Sequence, residues 1–249
     1  MDLSGKVVCI TGGSGGLGGR ICLAFSSRGA HVAVVYQQSE EHARRVVTEI
    51  RANGGDAIPV QADVTDPAAV HAAVVEVVRE FGRLDVLVND AAYNQWIPFR
   101  DLDALTLEAW EKIQRVNVTG PFLCIKAAVP AMRQNGGGRI INIGSVAGLS
   151  PSGSSIAYAV SKAALSHMTR CFAVALAPDI LVNCVAPGFM EETRMSGNLT
   201  PEYQEQAKRL AALGRAVDKD DVARQVVAFA ETDSTTGQTL VIDAGRFYH

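Results

Sequence analysis

Positive charge is not in excess in this chain: 23 Lys and Arg stand against 26 Asp and Glu in 249 residues, a formal net charge of −3. The basic residues are scattered through acidic company, which excludes the electrostatic footprint of a nucleic-acid binder and leaves small neutral or anionic partners. Long hydrophobic runs are missing too, none approaching the ~20 apolar residues of a membrane span. The opening, Met1-Asp2-Leu3-Ser4-Gly5-Lys6, lacks the basic start, apolar stretch and small-residue cleavage site of a secretory signal. Cysteine is sparse and odd in number. Cys9, Cys22, Cys124, Cys171 and Cys184 sit in apolar runs, which suits buried reduced thiols better than a disulfide framework and points to a reducing cytoplasm. No linker, repeat or low-complexity tract divides the chain, so one domain is expected over residues 1–249. Its 48% hydrophobic content is enough for a single large α/β core.

What is present is a regular alternation. Short apolar, β-branched runs at Val7 to Thr11, His31 to Tyr36, Ala57 to Gln61, Leu84 to Asn89, Arg139 to Gly144, Leu181 to Ala186 and Leu240 to Asp243 read as seven strands. Between most of them, apolar residues three and four apart predict helices at Ile21 to Arg28, Glu41 to Ala52, Ala68 to Phe81, Leu107 to Gln134 and Ile156 to Leu176. Strands apolar on both faces and alternating with helices call for an α/β, doubly wound, seven-stranded parallel sheet with helices on both faces. Asp66-Pro67 is a good helix start, and Gly29, Asn53-Gly54-Gly55, Gly82 and Gly136-Gly137-Gly138 are good helix ends. Gly188 to Leu213 breaks the alternation; a substrate lid and an ordinary surface excursion both fit it.

The first strand runs into Gly12-Gly13-Ser14-Gly15-Gly16-Leu17-Gly18 and then at once into a helix. Absent side chains let the backbone approach a pyrophosphate, whose charge meets free N–H groups at the helix start. No Lys followed by Ser or Thr closes the loop, so an NTPase phosphate loop is excluded, whereas flavin, methyl-donor and nucleotide proteins share such turns. Asp63 and Asn89 end strands at the carboxyl edge, where ligands bind in open α/β sheets, although either residue also caps loops routinely.

Tyr158 is the one tyrosine with a lysine four residues on, Lys162. Near a helix start that spacing puts both on one face, and an ammonium there favours the phenolate, drawing the tyrosine pKa from ~10 toward neutrality. Ser145 ends the fifth strand, where its hydroxyl reaches a substrate carbonyl. Asn117 lies among apolar neighbours in the fourth helix, where an amide needs a partner, a bound water being one candidate. The bland alternatives are a strand end, a satisfied core amide and a surface-packed pair.

Together these residues resemble the short-chain dehydrogenase/reductase family in its single-domain form. The similarity covers nearly the whole chain and extends to its 3-oxoacyl-thioester reductases. Thr11 to Gly18 is similar to its cofactor loop, Asn89-Asp90-Ala91-Ala92 to its post-strand motif, Ser145, Tyr158 and Lys162 to its reaction centre, and Asn117 to the fourth catalytic member. Asn183 to Gly188 and Thr236 to Asp243 match further stretches. The resemblance implies a Rossmann-type sheet and an NAD(P)(H)-dependent interconversion of ketone and secondary alcohol. Tyr158 then exchanges the proton, Lys162 lowers its pKa and holds the nicotinamide ribose, Ser145 polarises the carbonyl, and Asn117 orders a water. It further implies cofactor contacts at Gly12, Ser14, Gly15, Gly16, Leu17, Gly18, Gln37, Asp63, Val64, Asn89, Ala91, Tyr158, Lys162, Pro187, Gly188 and Met190, and no metal. A substrate pocket is expected from Tyr93, Gln95, Trp96, Leu149, Ser150, Phe189 and Met190, with core packing an equal role for Trp96 and Met190. A homotetramer through Leu107 to Gln134 and Ile156 to Leu176 is implied, though apolar helical stripes alone suit a monomer core equally.

Two departures matter. The family carries Asn-Asn-Ala-Gly where this chain has Asn89-Asp90-Ala91-Ala92, placing a carboxylate near the cofactor. The second strand ends in Tyr36-Gln37-Gln38-Ser39, with neither an acid for a ribose 2′-OH nor an Arg for a 2′-phosphate. Without a repelling carboxylate, and with Gln37, Gln38 and Ser39 as donors, the balance tips to NADP(H) over NAD(H). The alternative from a different class is a dinucleotide-binding regulator or scaffold with little catalysis.

Overall fold

The computed structural model describes residues 1–247. Seven strands among them pair in parallel: β1 (Val7–Thr11), β2 (His31–Tyr36), β3 (Ala57–Gln61), β4 (Val86–Asn89), β5 (Gly138–Ile143), β6 (Ile180–Pro187) and β7 (Thr239–Ile242). Their order is β3-β2-β1-β4-β5-β6-β7. The order reverses between β1 and β4, and at such a switch point the connections leave in opposite directions and open a crevice at the carboxyl ends.

The helices are α1 (Gly16–Ser26), α2 (Glu40–Ala52), α3 (Pro67–Phe81), α4 (Leu107–Gln114), α5 (Gly120–Gln134), α6 (Ile156–Leu176), α7 (Arg194–Gly197), α8 (Pro201–Arg209) and α9 (Lys219–Glu231). One face of the sheet is buried under α1, α2 and α9 through Ile21, Phe25, Val47, Ile50 and Val226. The other lies under α3, α5 and α6 through Val77, Ile125, Met132 and Leu176. Strands β1, β4 and β5 are buried along their whole length, as both-face apolar runs require. The Asp66 side chain caps α3 by accepting the Ala68 N–H at 2.9 Å, and Gly82 closes it at φ +77°.

Three elements differ from expectation. The long fourth helix is interrupted by a π-helical turn at Arg115–Thr119 that separates α4 from α5. The cause is in the chain: Pro121 has no N–H to give to the carbonyl four residues back, that of Asn117, so the α-helical ladder fails there. The stretch from Gly188 to Leu213, for which the sequence predicts no element, carries α7 and α8. Helix α9 was not anticipated, although its buried Val222, Ala223, Val226, Val227 and Ala230 have helical spacing. Among the described residues, no helix is long and apolar enough to cross a membrane.

Candidate active site

A cleft of about 820 Å³ opens along the carboxyl ends of the strands. Its floor is the turn after β1. Helix α1 begins at Gly16, and its N-cap, Gly15, supplies no side-chain hydrogen bond, leaving the first-turn N–H groups to an outside acceptor. The turn is packed too tightly for side chains: a Cβ on Gly18 would lie 2.3 Å from the Gly12 carbonyl oxygen, and one on Gly16 would lie 2.8 Å from that of Glu192. Bare backbone, a helix start with free donors and a cleft at the switch point together fit a dinucleotide pyrophosphate. The Thr11 hydroxyl accepts the N–H groups of Asp90 and Ala91, each at 3.2 Å, and so ties the end of β1 to the segment after β4.

At the inner end stand Ser145, Tyr158 and Lys162, all on the wall of the cleft. Ser145 follows β5 and starts a short turn, Val146–Gly148, that lies against α6. That approach needs a glycine, because a Cβ on Gly148 would sit 2.6 Å from the Lys162 carbonyl carbon. Ser155 caps α6, its hydroxyl accepting the Tyr158 N–H at 3.2 Å, so the tyrosine is in the first helical turn with the lysine one turn on. The Lys162 ammonium is buried, donates to the Ile143 carbonyl at 2.8 Å and lies 5.8 Å from the centre of the Tyr158 ring.

The electrostatics correct the expectation of a lowered tyrosine pKa. Burial pushes the Tyr158 phenol up to about 12, Ser145 pulling it partly back through a hydrogen bond. Lys162 is not among the groups that move it; burial lowers the lysine itself to about 8, against the opposing pull of Asp90. Asp90 carries the reciprocal displacement: burial raises its carboxyl to about 7, and Lys162 only partly offsets this. Without a ligand the inner end therefore holds a neutral phenol beside an ammonium.

Of the other residues expected from sequence, Gly12, Ser14, Gly15, Gly16, Leu17, Gln37, Asp63, Val64, Ala91, Tyr93, Pro187, Gly188, Phe189 and Met190 line the cleft. Gly18 packs behind its wall. Asn89 is not a wall residue: it is buried and donates to the Asn142 Oδ1 at 2.8 Å, while Asn142 donates to the Thr169 hydroxyl at 2.9 Å, a chain of polar groups joining β4, β5 and α6. Asn117 is well partnered: its Oδ1 accepts the Tyr93 N–H at 2.8 Å and its Nδ2 donates to the Tyr93 carbonyl and the Ser161 hydroxyl, so both amide hydrogens are used and the side chain positions Tyr93. Gln95, Trp96, Leu149 and Ser150 do not reach the cleft. Trp96 packs edge-on against Tyr203, with ring centres 5.1 Å apart, Leu149 is exposed, and the Ser150 hydroxyl turns back to Val146 and Ser152.

The walls also include residues that the sequence did not single out, chiefly Asn94, Ser154, Thr193, Arg194, Met195, Leu199 and Tyr203. Ser154 is buried with its hydroxyl unpartnered among the described residues. Asn94 donates to the Met195 carbonyl at 3.0 Å and receives the Asn198 amide at 2.8 Å, fastening α7 to the segment after β4. Nothing in the periodicity of Gly188 to Leu213 marks these residues.

A family model described as short chain dehydrogenase matches residues 6–204. The chain belongs to the short-chain dehydrogenase family. It is 38% identical to a 3-oxoacyl-acyl-carrier-protein reductase of Synechocystis, the match covering 98% of this chain and 97% of that one. It is 37% identical to a 2,5-dichloro-2,5-cyclohexadiene-1,4-diol dehydrogenase of Sphingobium indicum, over 98% and 96%. Among solved structures, a short-chain dehydrogenase of Burkholderia cenocepacia in complex with NADP superposes with a TM-score of 0.90 at 36% identity, covering 99% of each chain. This short-chain dehydrogenase is thus an oxidoreductase with the family's sheet, and the finer chemistry rests on its own site.

Proposed function

We propose that this enzyme reduces a hydrophobic ketone, a 3-oxoacyl compound being the first choice, to a secondary alcohol with NADP(H) in preference to NAD(H). The observation that carries the reading is the phenol of Tyr158, kept protonated by burial at the inner end of a dinucleotide-shaped cleft and one helical turn from a buried ammonium. When bound, a nicotinamide dinucleotide would supply the hydride. Ser145 and Tyr158 hydrogen-bond the substrate oxygen and so orient the carbonyl. As the carbon–oxygen double bond opens, Tyr158 gives its proton to the oxygen, leaving a phenolate that the Ser145 hydroxyl favours. The proton is restored from solvent past Lys162.

The rings of Tyr93, Phe189 and Tyr203 and the side chains of Met195 and Leu199 give the mouth an apolar lining. The segment 188–213 acts as the lid of a single catalytic domain. Exposed Phe122 on α5 and Val160 and Val174 on α6 support a homo-oligomer through these helices, with a tetramer as the first expectation by light scattering. The free cysteines suit a cytoplasmic enzyme. The deciding experiment follows reduced-cofactor absorbance with NADPH and NADH across a panel of ketones. Turnover with apolar ketones, faster with NADPH, is expected. Tight nucleotide binding without turnover of any carbonyl would replace this reading with that of a dinucleotide-binding regulator or scaffold.

A further inference from the structure

The outer end of the cleft is where a doubly wound fold reads the adenosine ribose, through an acid for a 2′-OH or an Arg for a 2′-phosphate at the end of the second strand. Here that strand offers only Gln37, Gln38 and Ser39, and Gln37 is already committed. Its Nε2 donates to the Asp63 carboxylate at 2.8 Å and its carbonyl accepts the Gln61 amide at 3.0 Å. A cation arrives from elsewhere in the chain. Arg194, the first residue of α7, crosses the cleft and donates from Nη2 to the Ser39 hydroxyl at 2.9 Å, a contact between residues 155 apart in sequence.

We propose that Arg194 is the residue that recognises a 2′-phosphate on the adenosine ribose, so that the segment after β6, not the tip of β2, sets the preference for the phosphorylated dinucleotide. The inference rests on the dinucleotide site argued above and assigns its specificity to one side chain. Four observations carry it. Both Arg194 and Ser39 line the cleft. The guanidinium rests on a neutral hydroxyl, its one polar partner among the described residues, so its charge and remaining donors are free for an anion. The neighbouring acids are occupied, Glu191 by Lys208 at 3.0 Å and Glu192 by Lys219 at 3.3 Å. The backbone on either side is held by the Thr193–Ser196 capping box and by Asn94 on the Met195 carbonyl, so the side chain projects from a fixed base. The acid on this side, Asp63, is raised by burial, but the Thr65 N–H and hydroxyl and the Gln37 amide together hold it below its usual range. It stays anionic and turned toward those donors.

The test needs no turnover. Calorimetric titration of the full chain with adenosine 2′,5′-bisphosphate and with adenosine 5′-monophosphate compares the wild type, Arg194→Gln and Arg194→Lys. The wild type is expected to prefer the bisphosphate. Arg194→Gln should weaken bisphosphate binding by about tenfold to a hundredfold, the weight of a charge-assisted bidentate contact, and change monophosphate binding by less than about twofold. Arg194→Lys keeps the charge without the fork and should fall between. Raising salt should erode the wild-type preference and leave the Gln variant unaffected. Equal loss for both nucleotides, no loss for either, or a wild type indifferent to the 2′-phosphate would overturn the proposal. A wild type that binds neither nucleotide would instead overturn the dinucleotide reading beneath it. Arg194 is exposed, so the variants should melt with the wild type.

Discussion

The two ends of the cleft are built differently. At the inner end, Ser145, Tyr158 and Lys162 stand on a strand tip and on the first two turns of a 21-residue helix, with Tyr158 and Lys162 shifted by burial to about 12 and about 8. At the outer end, Gln37, Ser39 and Arg194 stand on a strand end, a loop and a four-residue helix open to solvent. Desolvation changes proton affinities only where water is excluded, which is why the proton transfer is proposed at the inner end and the charge reading at the outer one.

The sharpest way to break this contrast is at the inner end. Replacing Tyr158 with Phe keeps the ring and removes the proton; kcat in ketone reduction should fall by about 10²–10⁴-fold with nucleotide affinity within about twofold. Continued turnover at the wild-type rate would remove the proton-transfer role. Next comes the floor that joins the two ends. Gly18→Ala forces a methyl onto the Gly12 carbonyl, and overpacking of this kind costs about 1–3 kcal/mol. A lower melting temperature and dinucleotide binding weakened by about tenfold are expected, both read by thermal shift with and without cofactor.

Asp90 sharpens the comparison through pH. Its folded pKa, about 7, lies above the ordinary 3.8, so the folded state holds its proton more firmly than the unfolded one. Its contribution is therefore favourable below about pH 4 and is lost as pH rises through 7. Asp90→Asn removes that loss. The variant's melting temperature relative to wild type should climb between pH 4 and 7 and then level off, by about 1–3 kcal/mol or roughly 3–10 °C. A flat difference would show that the carboxylate is solvated. The smallest effect is expected outside both ends: Gln95→Ala and Trp96→Phe should change kcat/KM by less than about threefold, because neither side chain reaches the cleft.

How much of this was legible follows the range of each signal. The strand tips bearing Ser145 and Asp63, the glycine turn and the Tyr158–Lys162 pair are local features, and the structure gathers them around one cleft. Gln95, Trp96, Leu149 and Ser150 sit in loops, whose course no periodicity sets, and their aromatic or apolar character did not say which way they face. The need of the Asn117 amide for partners was legible from its apolar surroundings, but that Tyr93 and Ser161 supply them was not. The π turn could have been foreseen from Pro121, and α9 from its apolar spacing.

By itself, the order of apolar runs, helix periods and glycines determined a doubly wound sheet and put Tyr158 and Lys162 on one helical face as candidates, because hydrophobic burial and helical spacing act over a few residues. Only the tertiary structure decided that Arg194 meets Ser39, that the Asn117 side chain holds Tyr93, and that Tyr158, Lys162 and Asp90 titrate far from their usual values. Those depend on which distant segments exclude water from a group or bring a partner to it, and this is settled when the chain packs.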